Sequence, residues 1–266
     1  MELFQYPFFQ NALAGSIFTC IICGIVGCYI VSRRLVFIAG GITHASFGGL
    51  GIGFFLGINP IVSALVVSVA SALGVEWLSQ KQGVREDSAI AAFWALGMAL
   101  GVIFIYLTPG YAPNISAYLF GSILTITIAD LWFAGILALL LALASLLFFR
   151  QILYTAFDRE FAKTQGVNVT LIERLMMFAV AVAIVSSIRL MGIMLLMSLL
   201  TIPQMTANIF TSSFKKMLIL SVLIGIAGCF AGLFASYRMN IPSGAAIIFI
   251  QALIFIVCKI FKSKRK

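Results

Sequence analysis

Long runs of apolar residues, separated by short polar breaks, dominate this chain. Residues 12–31 and residues 35–75 contain no Asp, Glu, Lys or Arg. A helix needs about 20 consecutive apolar residues to cross the hydrocarbon core of a bilayer. The pattern therefore predicts an all-α polytopic membrane protein rather than a water-soluble fold.

The polar breaks divide the sequence into about nine predicted membrane-spanning helices. They cover residues 12–31, 37–56, 60–79, 88–107, 130–149, 171–188, 191–210, 216–236 and 242–261. The apolar segment 111–129 is too short for a clear crossing, and we expect a short helix packed against one side of the bundle. No repeat or change in composition divides the chain, so residues 1–266 are expected to form a single transmembrane domain.

Composition agrees with the membrane class. Hydrophobic residues make up 62% of the chain and charged residues only 9%, whereas soluble domains carry about 25% charged residues. The five cysteines lie in apolar runs, and the Cys20-x-x-Cys23 spacing is better explained by packing than by a metal site that needs four ligands.

Positive charge predicts the orientation. With the N-terminus outside and the C-terminus in the cytoplasm, all of the 17 Lys and Arg residues except Arg189 and Arg238 fall on or near the cytoplasmic side. This orientation requires an odd number of spans. The net charge of +9, including the basic end from Lys262 to Lys266, therefore indicates contact with membrane lipid and not with nucleic acid.

His44 is the only histidine, and it lies inside a predicted span in the glycine-rich segment 40–49. Ionisable residues inside a membrane are costly and often functional. A neutral imidazole suits a borderline metal ion such as zinc or manganese, and Thr43 and Ser46 would add oxygen ligands. The alternative is a structural histidine that is hydrogen-bonded to a neighbouring helix.

The polar segment 154–168 predicts a short amphipathic helix on the cytoplasmic side. Phe157, Phe161 and Ala162 can share one helix face, and Gly166 can end the helix. Such a helix either lies on the lipid surface or docks into a groove of a soluble partner.

Five stretches resemble one known family, in matching order along the chain. They are Ser32-Arg-Arg-Leu-Val-Phe-Ile with Thr43-His-Ala-Ser, Ala117-Tyr-Leu-Phe-Gly121, Phe157-Asp-Arg-Glu-Phe-Ala-Lys with Gly166, Gly192 through Ser198-Leu-Leu-Thr-Ile-Pro203, and Ser236-Tyr with Ile241-Pro-Ser-Gly-Ala245. The chain resembles the membrane permeases of ABC importers for manganese, zinc and iron over essentially its whole length.

The resemblance implies a type II ABC importer permease in the bacterial cytoplasmic membrane. It implies a homodimer of permeases, two separate ABC ATPase subunits, and an extracytoplasmic solute-binding protein that delivers the metal ion. The ATPase coupling helix would consist of Phe157, Asp158, Arg159, Glu160, Phe161, Ala162, Lys163 and Gly166. No cofactor is expected, since the metal ion is the substrate and ATP binds to the partner subunit.

Three carboxylates common in the family are missing here. The aspartate one helical turn before the histidine is Gly40, the one before the last span is Asn240, and the one after Tyr-Leu-Phe-Gly is Ser122. These differences weaken the resemblance to a high-affinity zinc or manganese pathway. The expected pathway residues are His44, as the metal ligand, with Thr43, Ser46 and Asn240.

The sequence bears differently on three other kinds of protein. An ABC permease of the same fold for a different substrate remains an alternative. An ion-coupled secondary transporter usually has several ionisable residues at the membrane midplane, and this chain has almost none besides His44. The sequence contains neither an intramembrane enzyme motif nor the phosphate loop Gly-x-x-x-x-Gly-Lys-Ser/Thr, so we expect a permease rather than an enzyme.

Overall fold

The structure is a computed structural model that describes residues 6–109 and 126–263. Within those residues the chain forms eleven α-helices and no β-strand. The helices are α1 (Pro7–Ser32), α2 (Val36–Leu56), α3 (Pro60–Lys81), α4 (Glu86–Leu107), α5 (Ile128–Leu147), α6 (Phe149–Phe157), α7 (Arg159–Thr164), α8 (Val169–Leu199), α9 (Ile202–Phe210), α10 (Phe214–Met239) and α11 (Ser243–Ser263). The predicted all-α membrane fold is confirmed.

Eight stretches of the described chain are long and apolar enough to cross a membrane. Seven of them are the single helices α1 to α5, α10 and α11, and these match seven predicted spans to within five residues at each end. The eighth is the 42-residue stretch Val169–Phe210, which contains two predicted spans, 171–188 and 191–210.

A sharp break divides this long stretch. Gly192 has φ 75° and ψ 164°, a backbone conformation that glycine adopts readily and other residues rarely adopt. A straight helix of this length would measure about 63 Å, roughly twice the thickness of the hydrocarbon core. The break allows the chain to reverse instead.

Contacts at the two ends of the part that follows the break indicate that the stretch crosses the membrane twice. Arg189 Nε lies 3.1 Å from Asp130 Oδ1, at the start of α5. Lys262 Nζ, in the last turn of α11, donates a hydrogen bond to the carbonyl oxygen of Ile209, near the end of α9. Residue 189 therefore lies level with the start of α5, and residue 209 lies level with the end of α11.

The start of α5 and the end of α11 lie at opposite ends of the packed helices. Phe149, the first residue of α6 and two positions past the end of α5, packs against Phe214 at the start of α10 with ring centroids 6.0 Å apart. Gly228 and Gly232 of α10 lie beside Gln251 and Ile247 of α11, respectively, so these two helices are antiparallel. The end of α5, the start of α10 and the end of α11 thus share one end, as nine spans require.

The predicted short helix at 111–129 falls mainly on residues 110–125, which lie outside the described residues. The described chain resumes at Ile126. Thr127 and Asp130 then cap the start of α5 reciprocally, since each side chain accepts a hydrogen bond from the other residue's backbone N–H.

The described residues divide into two compact units, and α8 contributes to both of them. One unit contains residues 34–109 and 173–186. The other contains residues 6–33, 126–172 and 187–263. The expectation of a single domain stays a prediction.

In the first unit, α2 packs against α3 and α4. The contact with α4 is so close that a Cβ atom on Gly97 would lie 2.4 Å from Cα of Ala45, and one on Gly48 would lie 2.7 Å from the carbonyl oxygen of Gly97. Small residues allow helices in a membrane to approach closely. The glycine-rich pattern of α2 is therefore a packing feature.

In the second unit, α1 packs against α5, α9 and α10, and buried amides join neighbouring helices. Gln204 Nε2 of α9 donates to the carbonyl oxygen of Cys23 at 2.9 Å, and Gln251 Nε2 of α11 donates to that of Gly225 at 3.3 Å. Cys20 Sγ lies 3.6 Å from Cys229 Sγ, so Cys20 contacts a cysteine on α10 as well as sharing a helix with Cys23.

Candidate functional site

His44 lies on α2 at the closely packed contact with α4, and its side chain is half-buried. Its ring stacks on the Trp94 ring, with centroids 4.2 Å apart and planes 14° apart. His44 Nδ1 lies 3.2 Å from Met98 Sδ. Two side chains of α4 therefore fix the position of the imidazole.

Sequence reasoning missed both of these partners. Trp94 and Met98 are four residues apart and share one face of α4, a spacing that could have marked them as a pair. Nothing in the sequence shows that this face meets His44, because the contact joins residues about 50 positions apart.

Thr43 and Ser46 are fully buried, and their hydroxyls bond to the backbone of α2. Thr43 Oγ1 donates to the carbonyl oxygen of Ala39 at 2.6 Å, and Ser46 Oγ donates to that of Thr43 at 2.6 Å. Positions 43 and 46 share a helix face, whereas position 44 is rotated by about 100° from position 43. The structure does not bring these hydroxyls together with the His44 ring.

Asn240 ends α10 rather than lying inside a helix. Its φ of 52° and ψ of 42° are left-handed, a conformation that asparagine tolerates better than most residues, and its side chain is exposed. Beside it, Ser236 Oγ donates to the carbonyl oxygen of Ile241 at 2.6 Å. The left-handed turn explains why an asparagine stands at position 240. A role of Asn240 in the transport pathway stays a prediction.

The described residues contain no group of three or more His, Cys, Asp or Glu side chains that could hold a metal ion. Gly40, one turn before His44, is buried in α2 and supplies no ligand. Ser122 lies outside the described residues. The His44 region is therefore a partial ligand set and not a closed metal cage.

The predicted coupling segment is two helices instead of one. Phe157 is the last residue of α6, and Asp158 breaks the helix with φ −148° and ψ 106°. The Asp158 carboxylate then accepts hydrogen bonds from the backbone N–H groups of Glu160 and Phe161, both at 3.0 Å. The prediction of one continuous helix was wrong because aspartate stabilises a helix N-terminus better than a helix interior.

The predicted end of the segment is confirmed. Gly166 has φ 73°, and its backbone N–H donates to the carbonyl oxygen of Lys163 at 3.0 Å. Val167 N–H donates to the carbonyl oxygen of Ala162 at 3.0 Å. A left-handed glycine that reverses the chain in this way terminates α7.

The three apolar residues of the segment do not share one face, contrary to the prediction. Phe157 and Phe161 are 62% and 45% exposed, whereas Ala162 is fully buried. Phe157 packs edge-on against Phe214 with centroids 6.1 Å apart, and Phe161 packs edge-on against Tyr154 at 5.1 Å. The break at Asp158 places Phe157 on α6, and on α7 the successive residues Phe161 and Ala162 lie about 100° apart around the helix axis, so Ala162 faces inward.

These aromatic rings line an open cleft of about 520 Å³. Its lining combines apolar side chains with a few polar ones, namely Phe149, Leu153, Tyr154, Phe157, Asp158, Phe161, Ser212, Ser213, Phe214 and Lys215. The neighbouring exposed surface of α7 carries charge, including the ion pair between Lys163 Nζ and Glu160 Oε1 at 2.8 Å. A cleft with apolar walls and a charged rim has the composition of a protein-binding surface.

Comparison with known proteins gives a consistent result over the whole chain. The chain is 35% identical to an uncharacterised membrane protein of Synechocystis sp., with 98% of this chain and 93% of that protein covered. It is 31% identical to the manganese transport system membrane protein MntC of Halalkalibacterium halodurans, with 99% and 90% covered. Among solved structures, PsaBC from Streptococcus pneumoniae in complex with Fab matches with a TM-score of 0.88 and 29% identity, covering 97% of this chain and 93% of that one.

The family model of the ABC 3 transport family matches residues 5–262, which is nearly the entire sequence. The chain therefore belongs to the ABC 3 transport family.

Proposed function

We propose that this chain is the membrane-spanning permease subunit of an ATP-driven importer that moves a divalent metal ion across the bacterial cytoplasmic membrane. The observation that carries the proposal is the chain-long similarity to a manganese transport membrane protein, 31% over 99% of this chain. The match in fold to PsaBC, with a TM-score of 0.88, supports it independently.

In this proposal the N-terminus lies outside and the C-terminus lies in the cytoplasm. The positive-inside rule supports that orientation, because Arg189 and Arg238 alone among the 17 Lys and Arg residues fall on the outer side. The end of α1 then lies on the same side as α6, since Arg33 Nη1 donates to the carbonyl oxygen of Thr155 at 3.0 Å. The start of α5, with the pair Asp130–Arg189, faces the other side.

Two permeases would form a dimer, each with one ABC ATPase subunit docked at its cytoplasmic end. The segment from Phe157 to Gly166 would be the docking element. Its surface supports this role, since Phe157 and Phe161 are exposed at a cleft that an apolar side chain of a partner can enter. The charged side chains around α7 would set the orientation of docking more than its affinity.

Movement of the docked segment would reach the bundle through contacts within its own unit. Phe157 contacts Phe214 at the start of α10, and α7 is tied to α6 through Phe161 and Tyr154. A shift of α7 on ATP binding would therefore displace α6 and the start of α10 together. A solute-binding protein on the outer side would deliver the metal ion, and His44 would contact the ion as it passes through the permease.

Uptake measurements test this function. A strain of the source bacterium that lacks the chain should lose ATP-dependent uptake of at least one of ⁵⁴Mn, ⁶⁵Zn and ⁵⁵Fe, and the restored gene should recover it. The tagged permease should co-purify with an ABC ATPase subunit. Normal uptake of all three ions in the deletion strain, together with no ATPase in the purified complex, would contradict the proposal.

A further inference from the structure

The nitrogen of His44 lies beside a sulfur atom. His44 Nδ1 and Met98 Sδ are 3.2 Å apart, and Trp94 stacks on the imidazole from the same helix, α4. Because Trp94 and Met98 lie one helical turn apart, they hold the ring from two directions. The imidazole nitrogen and the thioether therefore form an ordered pair at the contact between α2 and α4.

We propose that His44 and Met98 together form a two-ligand nitrogen–sulfur site for the transported ion, and that this pair favours Zn²⁺ and Cd²⁺ over Mn²⁺, which prefers oxygen ligands. The inference rests on the proposed function and concerns the substrate class of that same pathway. It adds Met98, a residue that sequence patterns do not single out, as a determinant of ion selectivity.

Ligand chemistry supports this preference. Imidazole suits zinc, copper, iron and nickel, and thioethers are soft ligands, whereas manganese prefers carboxylate, carbonyl and water oxygens. The three positions of α2 at which oxygen ligands were expected beside His44 do not present one to the ring. The position one turn before it is Gly40, and the hydroxyls of Thr43 and Ser46 donate to the backbone of their own helix.

The geometry of the pair fits an ion with little rearrangement. Zinc bonds of about 2.1 Å to imidazole nitrogen and 2.3 Å to thiolate sulfur, at a tetrahedral angle, put the two ligand atoms about 3.6 Å apart. A neutral thioether binds at a longer distance than a thiolate, so from the observed 3.2 Å the two atoms must move apart by at least about 0.4 Å. Methionine is unbranched and flexible enough for this movement.

The pair also has a defined proton requirement. Without an ion, an Nδ1–H group can donate a hydrogen bond to the thioether sulfur. To bind an ion, Nδ1 must be unprotonated, so the imidazole must carry its proton on Nε2. Two ligands bind weakly compared with the four of a closed site, and this suits an ion that must leave again.

Uptake of ⁶⁵Zn, ¹⁰⁹Cd and ⁵⁴Mn in the deletion strain, restored with single variants, tests the inference. Met98→Leu keeps the apolar volume and removes the sulfur. It should lower the ratio of zinc and cadmium uptake to manganese uptake about tenfold, the effect of losing about 1.4 kcal/mol of binding free energy. Met98→Gln supplies an amide oxygen and should shift the ratio further toward manganese.

Met217→Leu is the matched control. Met217 is a methionine in another span, and it is buried in an apolar cluster with Cys28, Ala207 and Phe214, whereas Met98 is half-buried. That substitution should leave the ion ratio unchanged. A ratio within one variant does not depend on how much permease accumulates, so a partial folding defect in Met98→Leu does not obscure the result.

The two proposals fail in different ways. Uptake of none of the three ions by the restored wild type, with no uptake of ⁵⁵Fe either, would overturn the proposed function, and this inference with it. Wild-type uptake with the same zinc-to-manganese and cadmium-to-manganese ratios in Met98→Leu would overturn the nitrogen–sulfur site alone. Equilibrium binding of ⁶⁵Zn and ⁵⁴Mn to the purified full-length permease should show the same loss of zinc preference in Met98→Leu.

Discussion

The contact between α2 and α4 and the connection between α6 and α7 position their side chains in different ways. At the first, glycines bring two backbones into contact, so that Trp94 and Met98 can reach His44 inside a predicted span. At the second, Asp158 and Gly166 begin and end a six-residue helix, and two phenylalanines remain exposed.

This difference predicts how each region responds to substitution. Backbone contact leaves no room for a larger residue, so larger side chains at the glycines of the α2–α4 contact should act first on the fold. An exposed helix that is capped at both ends tolerates change in its surface, so changes on α7 should act first on binding to a partner.

The largest expected effect is that of Phe161→Asp. In the proposed docked state this substitution would place an unpaired charge in an apolar contact, a change that costs about 3–5 kcal/mol. The variant should insert normally, because no span is altered, and should lose both the bound ATPase and ATP-dependent uptake. Co-purification and ⁵⁴Mn and ⁶⁵Zn uptake measure these losses.

Thr170→Asp serves as the control for charge. Thr170 is exposed in the first turn of α8, beyond the docking segment, so aspartate there adds the same charge nearby without removing an aromatic ring. It should keep the bound ATPase. If Phe161→Asp retains the ATPase at normal stoichiometry and transports normally, α7 is not the coupling element.

Gly97→Val tests the backbone contact between α2 and α4. The new Cβ atom would lie 2.4 Å from Cα of Ala45, and no flexible side chain is available to move away. Overpacking of this kind costs about 1–3 kcal/mol, and contact with backbone should put the cost at the upper end. The expected result is a lower yield in the membrane and a lower unfolding temperature. Unfolding is measured by the reaction of buried cysteines with a thiol-specific dye.

Ala95→Val is the corresponding control, because Ala95 lies on the exposed side of the same helix. The added methyl groups there should leave the unfolding temperature nearly unchanged. Equal unfolding temperatures for Gly97→Val and wild type would mean that the two helices are not as closely packed as the structure indicates.

His44→Ala tests whether the α2–α4 contact serves transport as well as packing. Loss of the imidazole should reduce metal uptake about tenfold, as loss of about 1.4 kcal/mol would do, while the amount of permease and the bound ATPase stay normal. Ser46→Ala should transport within twofold of wild type, because its hydroxyl bonds to its own helix. Unchanged uptake in His44→Ala would return His44 to a structural role.

The sequence predicts the helices of this fold well because each span is an uninterrupted apolar run. This holds even for the broken stretch. Arg189 indicates an interruption between the predicted spans 171–188 and 191–210, and the structure has its break three residues later, at Gly192. A charged residue and a helix-breaking glycine lie only three positions apart here, so both indicate an interruption at nearly the same point.

The candidate sites were predicted less completely, since their geometry depends on contacts that a pattern does not contain. The packing of Met98 against His44 joins two helices, and no spacing within either helix shows it. The break at Asp158 is a local feature that could have been predicted, because aspartate followed by polar residues is a helix start signal. The four-residue spacing of Phe157 and Phe161 favours one continuous helix instead, and it competes with the start signal at Asp158.

The smallest expected effect is that of Asp158→Ala, which removes the cap of α7. The carboxylate accepts hydrogen bonds from two backbone N–H groups, those of Glu160 and Phe161. Loss of such a cap costs about 1 kcal/mol. Because α7 would have to regain its helical form on docking, we expect the affinity of the permease for its ATPase to fall about fivefold, measured by titration of the purified subunits.

Asp158→Asn separates the cap from the charge. Asparagine caps a helix about as well as aspartate, so this variant should bind the ATPase nearly as tightly as wild type if capping is the role of the residue. If Asn and Ala weaken binding equally, the carboxylate contributes through its charge at the rim of the cleft, and the order of α7 does not limit docking. The same pair of variants should leave the ion ratio of uptake unchanged, because neither one alters the contact between His44 and Met98.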